Sequence, residues 1–85
     1  MYEWNEAKRK SNLSKHGVDL AAVESFLWEE ALIIEDARKN YGERRFLAFG
    51  PTGARLHCLA FSVRGGNIRV ISLRKANSRE VKRYG

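Results

Sequence analysis

The hydrophobic rhythm of the chain changes near residue 31. Before it, apolar residues recur at helical spacing; after it, they gather in short runs rich in β-branched and aromatic side chains. Tyr2-Glu3-Trp4 reads as a short opening strand. Asn5 is placed to cap a helix over residues 6–16, "EAKRKSNLSKH", which ends at Gly17, a residue free to take the left-handed conformation of a helix end. Lys8, Arg9, Lys10 and Lys15 lie on its exposed face. Asp19 is placed to cap a second helix, "LAAVESFLWEE", over residues 20–30. Val18 and Val23 hold the two positions of a hydrophobic staple, and Val23, Phe26 and Leu27 make a stripe at i, i+3, i+4.

Four strands follow, "ALIIED", "RRFLAFG", "RLHCLAFSVR" and "NIRVISLRK". Gly50-Pro51-Thr52-Gly53 is expected as a turn, with proline second. Gly65-Gly66 suits a two-residue hairpin. Asn77 and Glu80 have capping-box spacing, so "SREVKRY" is a short final helix. The order β-α-α-β-β-β-β-α predicts an α+β fold: two N-terminal helices packed on one face of an antiparallel sheet, with a short C-terminal helix. No repeat, linker or low-complexity tract divides the chain, so residues 1–85 are expected to form one domain.

The tight hairpin assigns faces. With Arg64 opposite Asn67, an unbroken register pairs Phe61 with Val70 and His57 with Arg74. Arg55, His57 and Arg74 then gather on one face at the open end. Arg64 and Arg69 gather on the other face near the glycines, with Lys75 on that same face. A bulge would exchange the faces beyond it.

Charge sharpens this picture. Residues 1–53 carry eight Lys/Arg against nine Asp/Glu, whereas residues 54–85 carry eight against Glu80 alone. So one-sided a distribution points to a polyanionic partner, nucleic acid or an acidic protein surface, or else to a merely soluble basic face. No apolar run approaches a membrane span, and the opening residues lack the apolar core of a signal peptide. Cys58 is the single cysteine, so no intrachain disulfide can form, and a cytoplasmic location is expected.

"WNEAKRKSNLSKHGVDL", "GERRF" and "IRVISLRKANSREVKRY" together resemble the BrnT family of toxins from type II toxin–antitoxin systems, over nearly the whole chain. The combination of "KHG" with a distant "IR-x-IS-x-RKA-x3-E-x3-Y" pattern carries the likeness. The chain departs from it at Asn5, where aspartate is usual, and at Leu73, where alanine is common. The resemblance implies a RelE-like microbial ribonuclease fold and endoribonuclease activity that arrests translation. It also implies neutralisation by a BrnA-type ribbon-helix-helix antitoxin in a two-plus-two assembly, with DNA contacted only through that antitoxin. It further suggests cleavage by Arg and Lys of the sheet with a residue of the C-terminal segment.

RNA cleavage by its own 2′-hydroxyl needs three services: removal of the 2′ proton, neutralisation of the charged phosphorane, and a proton for the departing oxygen. The sequence has no metal-ligand spacing and no phosphate-binding glycine loop, so neither metal nor cofactor is expected and the tools are Arg, Lys, His and Tyr. Arg64, Arg69, Arg74 and Lys75 lead as phosphate contacts, because a guanidinium grips phosphate oxygens bidentately. Each can equally end its strand against a carboxylate such as Glu35 or Asp36. Tyr84 can stack on a base or donate a proton, or simply pin the last helix to the sheet. His57 can serve as acid or base, or be a packed strand histidine, and Arg55 beside it is a candidate RNA contact. Lys8 and His16 can extend an RNA track. His16 in cationic form would also suit the helix C-terminus, and Lys8 can be a plain solvated charge. Cys58 reads as a small buried apolar residue.

Two other function classes remain: a nucleic-acid-binding module without catalysis, and an interaction protein whose basic face meets only an acidic partner. A helix-turn-helix around Gly17 is disfavoured, because residues 20–30 hold three glutamates and no cation.

Overall fold

The computed structural model describes residues 1–85. Five strands form one sheet in the order β1-β5-β4-β3-β2. They are β1 (Tyr2–Glu3), β2 (Leu32–Glu35), β3 (Phe46–Thr52), β4 (Arg55–Arg64) and β5 (Asn67–Lys75), with helices α1 (Glu6–His16) and α2 (Ser78–Tyr84). The α+β class stands, but the sheet is mixed rather than antiparallel throughout. β1 runs parallel to β5, setting Tyr2 beside Ile68 and Glu3 beside Arg69. The chain leaves β1 toward α1, and α1 lies against the far part of β5, so the two strands must point the same way.

The caps read from the sequence are present. The Asn5 side chain accepts from the amides of Ala7 and Lys8, and Gly17 closes α1 at φ 70°. α1 has almost no apolar face, since Leu13 is half exposed. It is held to the sheet through buried Asn12, whose amide donates to the carbonyls of Val18 and Leu73 while its oxygen accepts from Leu73 N. One side chain thus supplies the ladder bonds that the two-residue β1 leaves unmade on β5.

The expected second α-helix is instead two 3-10 turns, Leu20–Ser25 and Trp28–Glu30, interrupted at Phe26. Val23 and Phe26 are three apart, a spacing that a three-residue turn eclipses, and both are buried; Leu27, which a 3.6-residue stripe would bury, is 38% exposed. The break also frees backbone for the sheet. Phe26 bridges to Thr52, and Leu27 N donates to Pro51 O at 3.0 Å. The expected Gly50–Gly53 turn is corrected in the same place: β3 runs through Thr52 and the chain reverses after it, at Gly53 with φ 62°. Gly50 is a strand glycine because a Cβ there would meet Phe26 Cζ at 2.8 Å and Ala31 Cβ at 2.9 Å.

The core lies on one face of the sheet. Val18, Leu20, Val23 and Phe26 cover Ala48, Leu59, Phe61, Val70 and Leu73, with Trp28 edge-on to both Phe26 and Phe61. No helix is long and apolar enough to cross a membrane.

Candidate nucleic-acid interface

The other face is where the cations meet, and a bulge decides which ones. Register runs as the sequence implies from Arg64–Asn67 to Phe61–Val70, then slips, so that Ala60 faces Ser72 and Cys58 faces Arg74. Ile71 is the extra residue. The expected group of Arg55, His57 and Arg74 is therefore corrected: Arg74 crosses to the face that holds Arg64 and Arg69. Lys75 moves the other way and pairs with His57, on the packed side. His57 is buried, with its Nδ1 2.8 Å from the Arg55 carbonyl, which is the packed-histidine geometry. Arg55 starts β4 opposite Thr52, at the far end of that strand from Arg64.

On the open face the three arginines differ in how firmly they are held. Arg64 and Arg69 approach Glu43 and Glu3 at 3.5 and 3.6 Å, long contacts worth little in solvent. Arg74 is gripped bidentately by Glu80 at 2.8 and 2.9 Å. The partners differ from the Glu35 or Asp36 suggested by the sequence. Glu80 is itself fixed by the capping box of α2: its carboxylate accepts from Asn77 N at 2.9 Å while Asn77 Oδ1 accepts from Glu80 N. The Arg74 hydrogen bonds hold the Glu80 carboxyl below the usual range, and the same bonds raise the Arg74 guanidinium. Three of Glu80's acceptor positions are taken, and Oε2 keeps one free.

α2 lays a depression of about 330 Å³ beside this pair. Its floor is Ile34, Leu47 and Phe49; its rim carries Arg79, Arg83 and Tyr84. Tyr84 stacks on Phe49 at 4.1 Å between ring centroids, 18° from parallel. Both readings of Tyr84 thus share one geometry, since the ring that pins α2 also lines an open aromatic pocket.

The α1 edge contributes a second depression, lined by Lys8, Ser11, Lys15, His16 and Ser72. Ser72 is in the arginine row of β5, so Lys8 and His16 border the same face. Burial, then the charges of Lys15 and Arg74, push the His16 imidazole down. His16 stands in the last turn of α1, the helix-end position expected from the sequence, beside the cations Lys15 and Arg74. Cys58 is buried, which pushes its thiol up to about 11 and keeps it unreactive. No three His, Cys, Asp or Glu side chains converge to hold a metal ion.

Residues 4–80 match the sequence model of the ribonuclease toxin, BrnT, of type II toxin–antitoxin systems. The chain belongs to the BrnT family. No curated protein matches it by sequence. A BrnT ribonuclease toxin implies an RNA substrate and an antitoxin partner. Two elements of the open face escaped the sequence reading. Glu80 was legible only as a cap, although it is the one acid in a basic half of the chain. Residues 37–43, between the expected strands, carry no element in the sequence, because a run such as "ARKNYGE" has no period.

Proposed function

We propose that this BrnT toxin is an endoribonuclease that needs no metal and cuts RNA through its own 2′-hydroxyl on the open face of the sheet. One observation carries the reading: the bulge at Ile71 brings Arg74 onto the face of Arg64 and Arg69, against a carboxylate and beside an aromatic pocket. Arg64 and Arg69 draw in the phosphate backbone. Arg74 neutralises the phosphorane, sharing its guanidinium between Glu80 and a phosphate oxygen. Glu80 Oε2 accepts the 2′ proton as the 2′ oxygen bonds to phosphorus. The P–O5′ bond breaks and the 5′ oxygen takes a proton from the Tyr84 phenol, which water restores; Glu80 returns its proton to water. The products are a 2′,3′-cyclic phosphate and a 5′-hydroxyl. Lys8 and His16 extend the track along α1. Arg55, His57 and Lys75 are on the packed side and have no part in this scheme.

The architecture is RelE-like in this reading, cleavage arrests translation, and a BrnA-type ribbon-helix-helix antitoxin covers the open face, two toxins with two antitoxins.

Purified protein incubated with a messenger RNA in EDTA tests the chemistry. Cleavage to cyclic-phosphate ends is expected, reduced about 100-fold or more in Arg74→Ala and in Glu80→Gln. Glutamine at the third helical position retains the capping box, so its loss of rate reports the carboxylate and not the helix. RNA binding without cleavage by the wild-type protein would instead support a non-catalytic module using the same face. Cleavage abolished by EDTA would overturn the metal-free scheme.

A further inference from the structure

Residues 36–45 join β2 to β3 and add nothing apolar to the core. Between Asp36 and Arg45 there is no Leu, Ile, Val or Phe. What folds the loop is one buried carboxylate. Asp36 is 5% exposed at its side chain. It accepts from Arg38 N, from Arg38 Nε and Nη2 at 2.8 Å each, and from the Tyr41 hydroxyl at 3.0 Å. Its own amide donates to Arg45 O, which closes the loop, and the Arg45 guanidinium lies over the Tyr41 ring at 4.2 Å.

The outcome is a shallow depression lined by Arg38, Lys39, Tyr41 and Arg45, three cations around one aromatic ring. Arg38 is 72% exposed, so its remaining donors face solvent. The loop is level with the open face. Arg45 precedes Phe46, which faces Phe61, and so comes opposite Ser62, the residue paired with Arg69. Arg38 is also near enough to Arg74 for its charge to oppose that of the guanidinium.

Burying a carboxylate to aim a solvent-facing guanidinium and a tyrosine makes little sense as a stabilising device, since an apolar anchor would serve better. It makes sense as preorganisation for an anionic, aromatic ligand. We propose that the 36–45 loop is a nucleotide subsite for RNA flanking the scissile bond, in which Tyr41 stacks a base and Arg38, Lys39 and Arg45 bind the adjoining phosphates. Asp36 is a positioning residue. The inference rests on the nuclease reading for its place in the reaction, but its binding test does not.

Two substrates and one inert ligand test it. Tyr41→Leu and Lys39→Gln are compared with the wild-type protein on a dinucleotide, on an RNA octanucleotide, and for binding of the 2′-O-methyl octanucleotide, which cannot be cut. Lys39 is exposed, so its replacement leaves the fold alone. For Tyr41→Leu the octanucleotide KM and the 2′-O-methyl Kd should both rise about tenfold, with kcat and dinucleotide cleavage unchanged. Lys39→Gln should lower the slope of log affinity against log salt by about 0.7, one phosphate contact. Equal losses on both substrates, or undiminished binding of the inert octanucleotide, overturn the subsite. Wild-type binding that weakens in the variants, with no cleavage of any RNA, would leave the subsite standing and remove the nuclease reading.

Discussion

The two faces of the same strands follow different rules. On the packed face, Leu59 and Leu73 stand opposite each other, both fully buried, beneath Leu20, Val23 and Phe26. Their neighbours in sequence, Cys58 and Arg74, face each other on the open side, where a guanidinium meets a carboxylate and an aromatic pocket begins. One residue of offset separates a side chain chosen for volume from one chosen for charge. The main apolar cluster of this small protein therefore lies on one side of a single sheet and the candidate site on the other, where Phe49, Cys58 and Ser62 are also buried, and the bulge sets which β5 side chains go to each.

Inserting one alanine between Ser72 and Leu73 should break that division outright. Every β5 residue beyond it would move one place along β4, setting Leu73 opposite Cys58 on the open side and Arg74 opposite His57 on the packed side. Burying an unpaired arginine and losing a fully buried leucine each remove several kcal/mol, on the order of the whole stability of a domain this size. The variant should be unfolded by circular dichroism and inactive. Deleting Ile71 itself, the unpaired residue, should leave Leu73 and Arg74 on their present faces and the protein folded. A folded insertion variant with wild-type cleavage would mean that the register of β5 does not set which cations share a face.

Two buried residues of β4, one on each face, sharpen the contrast. Leu59→Ala should cost about 2–5 kcal/mol, read as a large fall in the denaturation midpoint. Ser62, on the open face, is 1% exposed, and its hydroxyl has no hydrogen-bond partner. Ser62→Ala removes an unsatisfied buried group, so its midpoint should stay level or rise by up to about 1 kcal/mol. A Ser62→Ala loss as large as that of Leu59→Ala would show that the open face also carries the fold.

Local signals explain which parts of this were legible from the sequence. The caps at Asn5, Gly17 and Asn77, and the spans of α1, β4, β5 and α2, follow from short-range spacing, because a cap or a two-glycine hairpin is decided within a few residues. The second helix failed because its form depends on β3, whose Thr52, twenty-six residues further along the chain, bridges to Phe26 and draws it out of any helix. The bulge failed for a similar reason. Nothing in "RVISLR" marks Ile71 as extra; the slip shows only against Ala60 and Phe61 across the hairpin. The face of each arginine, and thus the makeup of the candidate site, is a long-range property. Glu80 is the informative case: its spacing from Asn77 identified a cap, and only the register of β5 showed that the same carboxylate holds Arg74.

Acid should erode both faces, through the carboxylates and one histidine. Arg9 holds the Asp19 carboxyl down to about 2, and Arg44, Arg38 and Arg74 hold Glu35, Asp36 and Glu80 below their ordinary values. A carboxylate depressed in the folded state contributes stability that is complete above its unfolded pKa and is lost as pH falls through the folded one. His16, also depressed, acts in the same direction from its ordinary value of 6.5 downward, because the unfolded chain protonates it first. The melting temperature should thus be level above pH 7, slip slightly below 6.5, and fall more steeply below about 4.5 toward 2. His16→Gln should flatten only the upper, shallow part, and Asp36→Asn only the steep acid part. Because Asp36 aims Arg38 and Tyr41 while Asp19 pairs with Arg9 on α1 and caps the turn at Leu20, Asp36→Asn should also weaken RNA binding at pH 7, where Asp19→Asn leaves it intact. Equal RNA affinity in the two variants would show the loop carboxylate to be one more structural ion pair, no different from those on the far side of the sheet.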